Sequence, residues 1–139
     1  MNIAIIGKSG QLAFELAREL KSTQHNVTYL GRDDIDITSA VSIEEKLSPL
    51  SLDVVINASA YTAVDKAEED TDACNAINAL AVKNLATFCK ASGAFMVHVS
   101  TDYVFNGQKG SPYLTNDPIE PQGAYGRSKA EGEKALLEI

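Results

Sequence analysis

Cysteine is scarce in this sequence, with two residues, Cys74 and Cys89, among 139. Both fall in a stretch that reads as one helix, well apart along it, so no disulfide between them is expected. Their spacing matches no zinc pattern. Two reduced, partly buried thiols suit a cytoplasmic protein. Positive charge is short as well: 12 Lys and Arg stand against 19 Asp and Glu, a net charge of −7. No domain-wide basic patch can form on that balance, which excludes nucleic acid as the expected partner. Acidity leaves a phosphate ligand open, because backbone N–H groups bind phosphate without a basic side chain. No apolar run approaches the roughly 20 residues that span a bilayer. Met1–Gly10 lacks the basic start and long apolar run of a signal peptide. The expectation is no membrane partner and a cytoplasmic location. Repeats and low-complexity tracts are missing, and no cluster has metal-ligand spacing. What remains is the length and composition of one soluble domain with a real core.

The apolar pattern alternates between two periods. Asn2–Ile6 is short, apolar and β-branched, and Gly7 ends it, which predicts a strand buried on both faces. Leu12, Leu16, Ala17 and Leu20 fall at helical spacing over Gln11–Leu20. Val27–Leu30 reads as a second strand, and Asp36-Ile37 as a little extended structure. Ser39 suits the cap of a helix running to about Leu47. Asp53–Asn57 is another buried strand. Asp72–Ala91 is a long helix with Ile77, Leu80, Ala81, Leu85 and Phe88 near one face. Ala94–Val99 is a further strand. Three of the four prolines gather between Tyr103 and Gly123, so this stretch reads as an irregular loop. A last helix starts near Gly123. Strands alternating with helices imply an α/β fold with a doubly wound parallel sheet in three αβα layers. Such sheets bind ligands beyond the carboxyl ends of their strands, and the candidate residues stand there.

Gly7-Lys-Ser-Gly10-Gln-Leu-Ala13 lies between the first strand and the first helix, the setting of a dinucleotide loop. Gly7 permits a tight turn, Gly10 a close approach to a pyrophosphate, and Ala13 close helix packing. The helix start offers unpaired N–H groups and partial positive charge. The second strand ends in Leu30-Gly31-Arg32, where many NAD-binding chains place an acid for the ribose 2′-hydroxyl. Gly31 lacks that carboxylate and Arg32 suits a 2′-phosphate, which leans towards NADPH. Asp33 and Asp34 follow closely and restore a possible NAD contact, so NADPH and NADH both stay open.

Tyr125-Gly-Arg-Ser-Lys129 places a phenol and an ammonium one helical turn apart. A neighbouring ammonium favours the phenolate, which lets the phenol exchange a proton with a carbonyl oxygen near neutral pH. Ser100-Thr101 ends the last strand. A hydroxyl there can bond a substrate carbonyl, or simply cap the backbone. Phosphate loop, strand-end hydroxyl and Tyr-xxx-Lys in this order point together to carbonyl reduction.

On these segments, with Asn57-Ala-Ser-Ala-Tyr-Thr-Ala-Val-Asp-Lys-Ala-Glu68 and Val99-Ser-Thr-Asp-Tyr-Val-Phe-Asn-Gly107, the chain resembles the extended short-chain dehydrogenases. Within them it is similar to the sugar-nucleotide reductases. The resemblance implies a Rossmann-type NAD(P)-binding fold and roles position by position. Gly7 would belong to the cofactor site, Gly10, Gln11 and Leu12 would line the pyrophosphate, and Asp36 and Ile37 would flank the adenine. Ala58, Ala60, Tyr61, Thr62 and Val99 would contact the cofactor. Thr101 would assist catalysis, with Asp102 near the sugar. Tyr125 would protonate the C4 keto oxygen of dTDP-4-dehydro-6-deoxy-L-mannose. Lys129 would hold the nicotinamide ribose. Asn78 either joins a polar network behind that lysine or is a polar position on a half-exposed helix. Sugar-nucleotide dehydratases carry Thr-Asp-Glu where this chain has Thr101-Asp102-Tyr103, which disfavours elimination.

Members of that family are considerably longer. The expectation is that residues 1–139 form the NAD(P)-binding domain of a truncated chain, with the C-terminal sugar-nucleotide domain absent. The sheet would then show an open edge and a part-formed apolar surface, inviting self-association such as a homodimer. The competing reading is a non-catalytic NADP-binding subunit similar to the regulatory beta subunit of methionine adenosyltransferase, or another epimerase or reductase of this type.

Overall fold

Strand β1 (Asn2–Ile6) buries every residue after Asn2, as a strand covered on both faces must. A computed structural model describes all 139 residues, and β1 lies inside its single four-stranded sheet. The strands β2 (Asn26–Leu30), β3 (Val54–Asn57) and β4 (Phe95–His98) complete it. All pairs are parallel, in the order β2-β1-β3-β4. Ile3 stands opposite both Val27 and Val54, and Asn57 stands opposite His98. The chain steps outward from β1 to β2, then returns to the other side of β1 for β3. The switch point therefore falls between β1 and β3, where a doubly wound sheet opens its crevice.

Alternate residues of β1 face opposite layers. Ile3 and Ile5 pack with Ala13, Leu16 and Leu20 of α1 (Gln11–Leu20). Ala4 and Ile6 pack with Ile43 and Leu47 of α2 (Ala40–Leu47). Ser39 caps α2 as its sequence position predicts, its Oγ accepting from the Ser42 amide at 3.3 Å. After β3 the chain forms a continuous helical run: α3 (Thr71–Asn75), a π-helical turn (Ala76–Leu80) and α4 (Ala81–Ser92). Leu85 and Phe88 of α4 join the larger core. The last helix, α5 (Ala124–Leu137), lies across this run. A Cβ at Gly132 would stand 2.2 Å from the Asn78 carbonyl oxygen, so the contact between α5 and the π turn needs a glycine.

Two expectations are corrected. Asp36-Ile37 is not extended. The Asp36 carboxylate accepts from both the amide and the hydroxyl of Thr38, at 2.9 and 2.7 Å, and such a local turn competes with strand pairing. Leu80 does not share the buried face of its helix but is 48% exposed. The π turn adds residues to one turn and rotates its own face away from the α-helical phase.

The layers cover the sheet unevenly. On edge strand β4 and just beyond it, Phe95, Val97 and Val99 are 69%, 40% and 44% exposed, so the expected open edge and apolar strip are present. No helix is long and apolar enough to cross a membrane.

Candidate active site

A cleft of about 770 Å³ opens at the carboxyl ends of β1 and β3. Its floor is the turn from β1 into α1. Gly7 takes φ +99°, and a Cβ there would lie 2.9 Å from the Ser59 amide nitrogen. Strain and collision both demand glycine at this position. Gly10 enters α1 in extended conformation without a side-chain cap. Its carbonyl accepts from Phe14, the first amide of the helix with a backbone partner. The amides of Gln11, Leu12 and Ala13 precede that bond and stay free for an anion.

Of the residues singled out in the sequence, Gly7, Gly10, Gln11, Leu12, Arg32, Asp36, Ile37, Ala58, Ala60 and Thr62 line this cleft. Gly31 and Ile77 line it too, as do Ser9, Ile35, Thr38 and Ser59, to which sequence reading gave no role. Arg32 has no ion-pair or hydrogen-bond partner within the chain and remains available at the rim. Asp34 is engaged within the chain. Its carboxylate pairs with Lys8 at 2.5 Å and accepts from the Gly31 amide at 2.8 Å. Both bonds hold that carboxyl below its ordinary range, Lys8 most strongly. Asn84 of α4 also escaped notice. Its amide donates to the Thr38 carbonyl at 3.0 Å and so pins the Asp36–Thr38 turn against the cleft.

Tyr61 does not line the cleft. Its hydroxyl donates to Asp70 at 3.3 Å, and its backbone is clasped by Asn78. The Asn78 Oδ1 accepts from the Tyr61 amide at 2.9 Å, and Nδ2 donates to the Tyr61 carbonyl at 3.1 Å. Nδ2 also donates to Ser128 Oγ at 3.0 Å. Asn78 is 1% exposed. Of its two readings the polar network is therefore the one that holds, and it ties the π turn, the loop after β3 and α5 together.

The remaining residues cluster at the carboxyl end of β4. Lys129 is 1% exposed, and its Nζ donates to the Val99 carbonyl at 2.6 Å. Burial pushes this lysine below its ordinary range. Ser128 Oγ donates to the Tyr125 carbonyl at 2.7 Å and fixes the start of α5. The Tyr125 ring packs edge-on against Tyr103, centroids 5.6 Å apart. Tyr125 and Lys129 share one end of α5, but no hydrogen bond joins phenol to ammonium. Thr101 caps the short turn after β4, its Oγ1 accepting from the Tyr103 amide and meeting Asp102 Oδ1, both at 3.3 Å. Ser100 Oγ is buried without a partner. Of the adjacent hydroxyls, one therefore caps and the other stands unpaired.

The switch-point cleft, the glycine floor and the free amides of α1 fit a dinucleotide, and the sheet that frames them is a Rossmann-like α/β fold. The same fold is found in a UDP-glucose 4-epimerase of Thermus thermophilus, solved in complex with NAD, at TM-score 0.89 and 20% identity over 99% of this chain and 50% of that one. The chain belongs to the RmlD substrate binding domain family, whose model matches residues 1–139. It is 45% identical to dTDP-4-dehydrorhamnose reductase of Burkholderia thailandensis over 138 residues, covering 99% of this chain and 46% of that one. The crystal structure of a dTDP-4-dehydrorhamnose reductase from Clostridium acetobutylicum superposes with TM-score 0.98 at 40% identity, over 100% of this chain and 50% of that one. The Bacillus anthracis reductase in complex with NADP superposes with TM-score 0.95 at 32% identity, over 99% and 49%. The chain spans about half the length of the curated relatives it matches.

Proposed function

We propose that residues 1–139 are the NAD(P)-binding domain of a cytoplasmic reductase that converts dTDP-4-dehydro-6-deoxy-L-mannose to dTDP-L-rhamnose, for cell-surface polysaccharide. The observation that carries the reading is the company of two features in one chain. A glycine-floored cleft with free helix amides lies at β1 and β3. The Tyr125–Lys129 end of α5 lies at the neighbouring β4. The named relatives are reductases of that sugar nucleotide, and one of them binds NADP.

Gly10, Gln11 and Leu12 hold the pyrophosphate through backbone N–H groups, with Gly7 keeping the floor low. Asp36 and Ile37 flank the adenine. Arg32 takes a 2′-phosphate, and because Lys8 occupies Asp34, NADPH is preferred over NADH. When bound, the nicotinamide supplies the hydride for C4. Tyr125 gives its phenolic proton to the C4 oxygen. Thr101 orients that oxygen from the end of β4, and Asp102 meets the sugar. Lys129 holds the nicotinamide ribose and favours the tyrosinate that remains. Most contacts to the sugar nucleotide belong to the part of the relatives that this chain does not span. The open β4 edge supports self-association, a homodimer being the simplest form.

Turnover tests this reading. NADPH oxidation with dTDP-4-dehydro-6-deoxy-L-mannose should be negligible for this chain, because orientation and water exclusion need the other half. A protein of the relatives' length carrying these 139 residues should restore it, and Tyr125→Phe should remove it there. Equal turnover by the short and long chains refutes the need for a second half. Unchanged turnover in Tyr125→Phe refutes the role of the phenol.

A further inference from the structure

Three residues of β3, β4 and the loop between them and the cleft form a hydrogen-bonded chain that ends on Lys129. It begins at the Ser59 backbone N–H, a group that only donates. That amide donates to Asn57 Oδ1 at 3.1 Å, and Ser59 Oγ donates to the same oxygen at 2.6 Å. The orientation of the Asn57 amide is thereby set. Its Nδ2 faces His98 Nδ1 at 3.2 Å, and since an amide N–H only donates, Nδ1 must accept. A neutral imidazole with Nδ1 as acceptor carries its proton on Nε2. Nε2 lies 3.4 Å from Lys129 Nζ.

We propose that Ser59, Asn57 and His98 form a one-way hydrogen-bond chain that holds His98 as the Nε2–H tautomer against Lys129, making His98 a positioning residue for that lysine. Its meaning for catalysis rests on the reading of Lys129 as part of a reductase site, but the tautomer does not. An ammonium and a ring N–H are both donors. Nε2–H therefore presses the ammonium towards the Val99 carbonyl, which it meets at 2.6 Å, and favours the amine, which can accept. Burial, then Lys129, holds His98 down to about 4, so the ring is neutral at neutral pH. The other titratable groups that bear on Lys129 are Glu133 of its own helix and Cys74 of α3, and both favour the ammonium. Ser59 itself lines the cleft. A ligand that draws on the Ser59 hydrogen bonds would loosen Asn57 and be felt at Lys129 through the ring.

Imidazole 15N spectra of the full chain test this directly, since His25 and His98 are its only histidines and His25→Gln separates them. At pH 7 the His98 Nε2 should show a protonated shift and Nδ1 an unprotonated one, with no change down to pH about 5. Asn57→Asp presents an acceptor to Nδ1, so it should move the proton to Nδ1. The Lys129 side-chain signals should then titrate at higher pH than in the parent chain. A wild-type ring protonated on Nδ1, or doubly protonated at pH 7, overturns the proposal. So does Asn57→Asp with an unchanged tautomer. If Asn57→Asp does not fold, the wild-type tautomer alone decides. NADPH titration of the same sample tests the reductase reading separately: an Nε2–H ring in a chain that binds no NADPH leaves the relay standing and overturns the cofactor reading.

Discussion

Lys129 donates to the carbonyl of Val99, the residue that follows β4, at 2.6 Å. This bond crosses from the last helix to the end of the edge strand and leaves the Tyr125 phenol outside it. A lysine 1% exposed with no carboxylate bonded to it is costly for the fold, because burying an ammonium is penalised unless it is fully paired.

The first prediction follows from that cost. Lys129→Met keeps the stem volume, removes the buried charge and leaves one carbonyl unpaired. Those terms oppose each other, so stability should change by no more than about 1 kcal/mol. NADPH affinity should fall at least tenfold for the loss of a charged donor, roughly 1.5 kcal/mol or more. Urea unfolding and calorimetry on the same variant separate the two effects. A large stability loss with unchanged NADPH affinity would make the lysine structural.

A second prediction concerns acid. His98 sits at about 4 in the folded chain against an ordinary 6.5. Between those values the unfolded chain binds the additional proton, so stability is full above pH 6.5 and falls as pH drops towards 4. The loss attributable to this ring is at most about 3 to 4 kcal/mol. His98→Gln should flatten this part of the stability profile measured by denaturant unfolding from pH 7 to pH 4. An equally steep profile in the variant would place the acid sensitivity elsewhere.

Asn78 makes the third. Its side chain holds both backbone groups of Tyr61 and the Ser128 hydroxyl. Asn78→Ala leaves both Tyr61 backbone groups without their side-chain partner and takes one donor from the Ser128 hydroxyl, and should cost about 2 to 4 kcal/mol. Because Tyr61 lies between the cleft residues Ala60 and Thr62, NADPH affinity should weaken in the same variant. Asn84→Ala removes the donor shared by the Thr38 and Ile37 carbonyls, at 3.0 and 3.4 Å, and should cost about 1 kcal/mol. Denaturant midpoints for the two, compared at equal slope, check the ranking.

What the sequence makes legible is local. The glycines after β1, the Ser39 cap, the strand periods and the helical spacing of Tyr125 and Lys129 are all written within a few residues. The structure meets each of them, with strand and helix ends displaced by a residue or so. What it hides depends on partners far along the chain. Asn57 meets His98 across 41 positions, and Asn78 meets Ser128 across 50. Neither pairing has a local signature, although polar residues inside apolar strands, Asn57 at the end of β3 and His98 at the end of β4, mark where to look. The Lys8–Asp34 pair is equally hidden, because Lys8 comes from a different turn. The exposure of Leu80 follows from a π turn that no spacing rule announces.

The central claim is that this chain holds NADPH in the β1–β3 cleft, with Arg32 at the 2′-phosphate. Calorimetric titration of the folded chain with NADPH and then NADH, at fixed salt and alongside Arg32→Ala, tests it most directly. Tighter binding of NADPH is predicted. Arg32→Ala should lose about tenfold to a hundredfold in NADPH affinity, a charged hydrogen bond's worth, and leave NADH unchanged. A folded sample that binds neither nucleotide, or an Arg32→Ala chain that binds both as the parent does, would contradict the account.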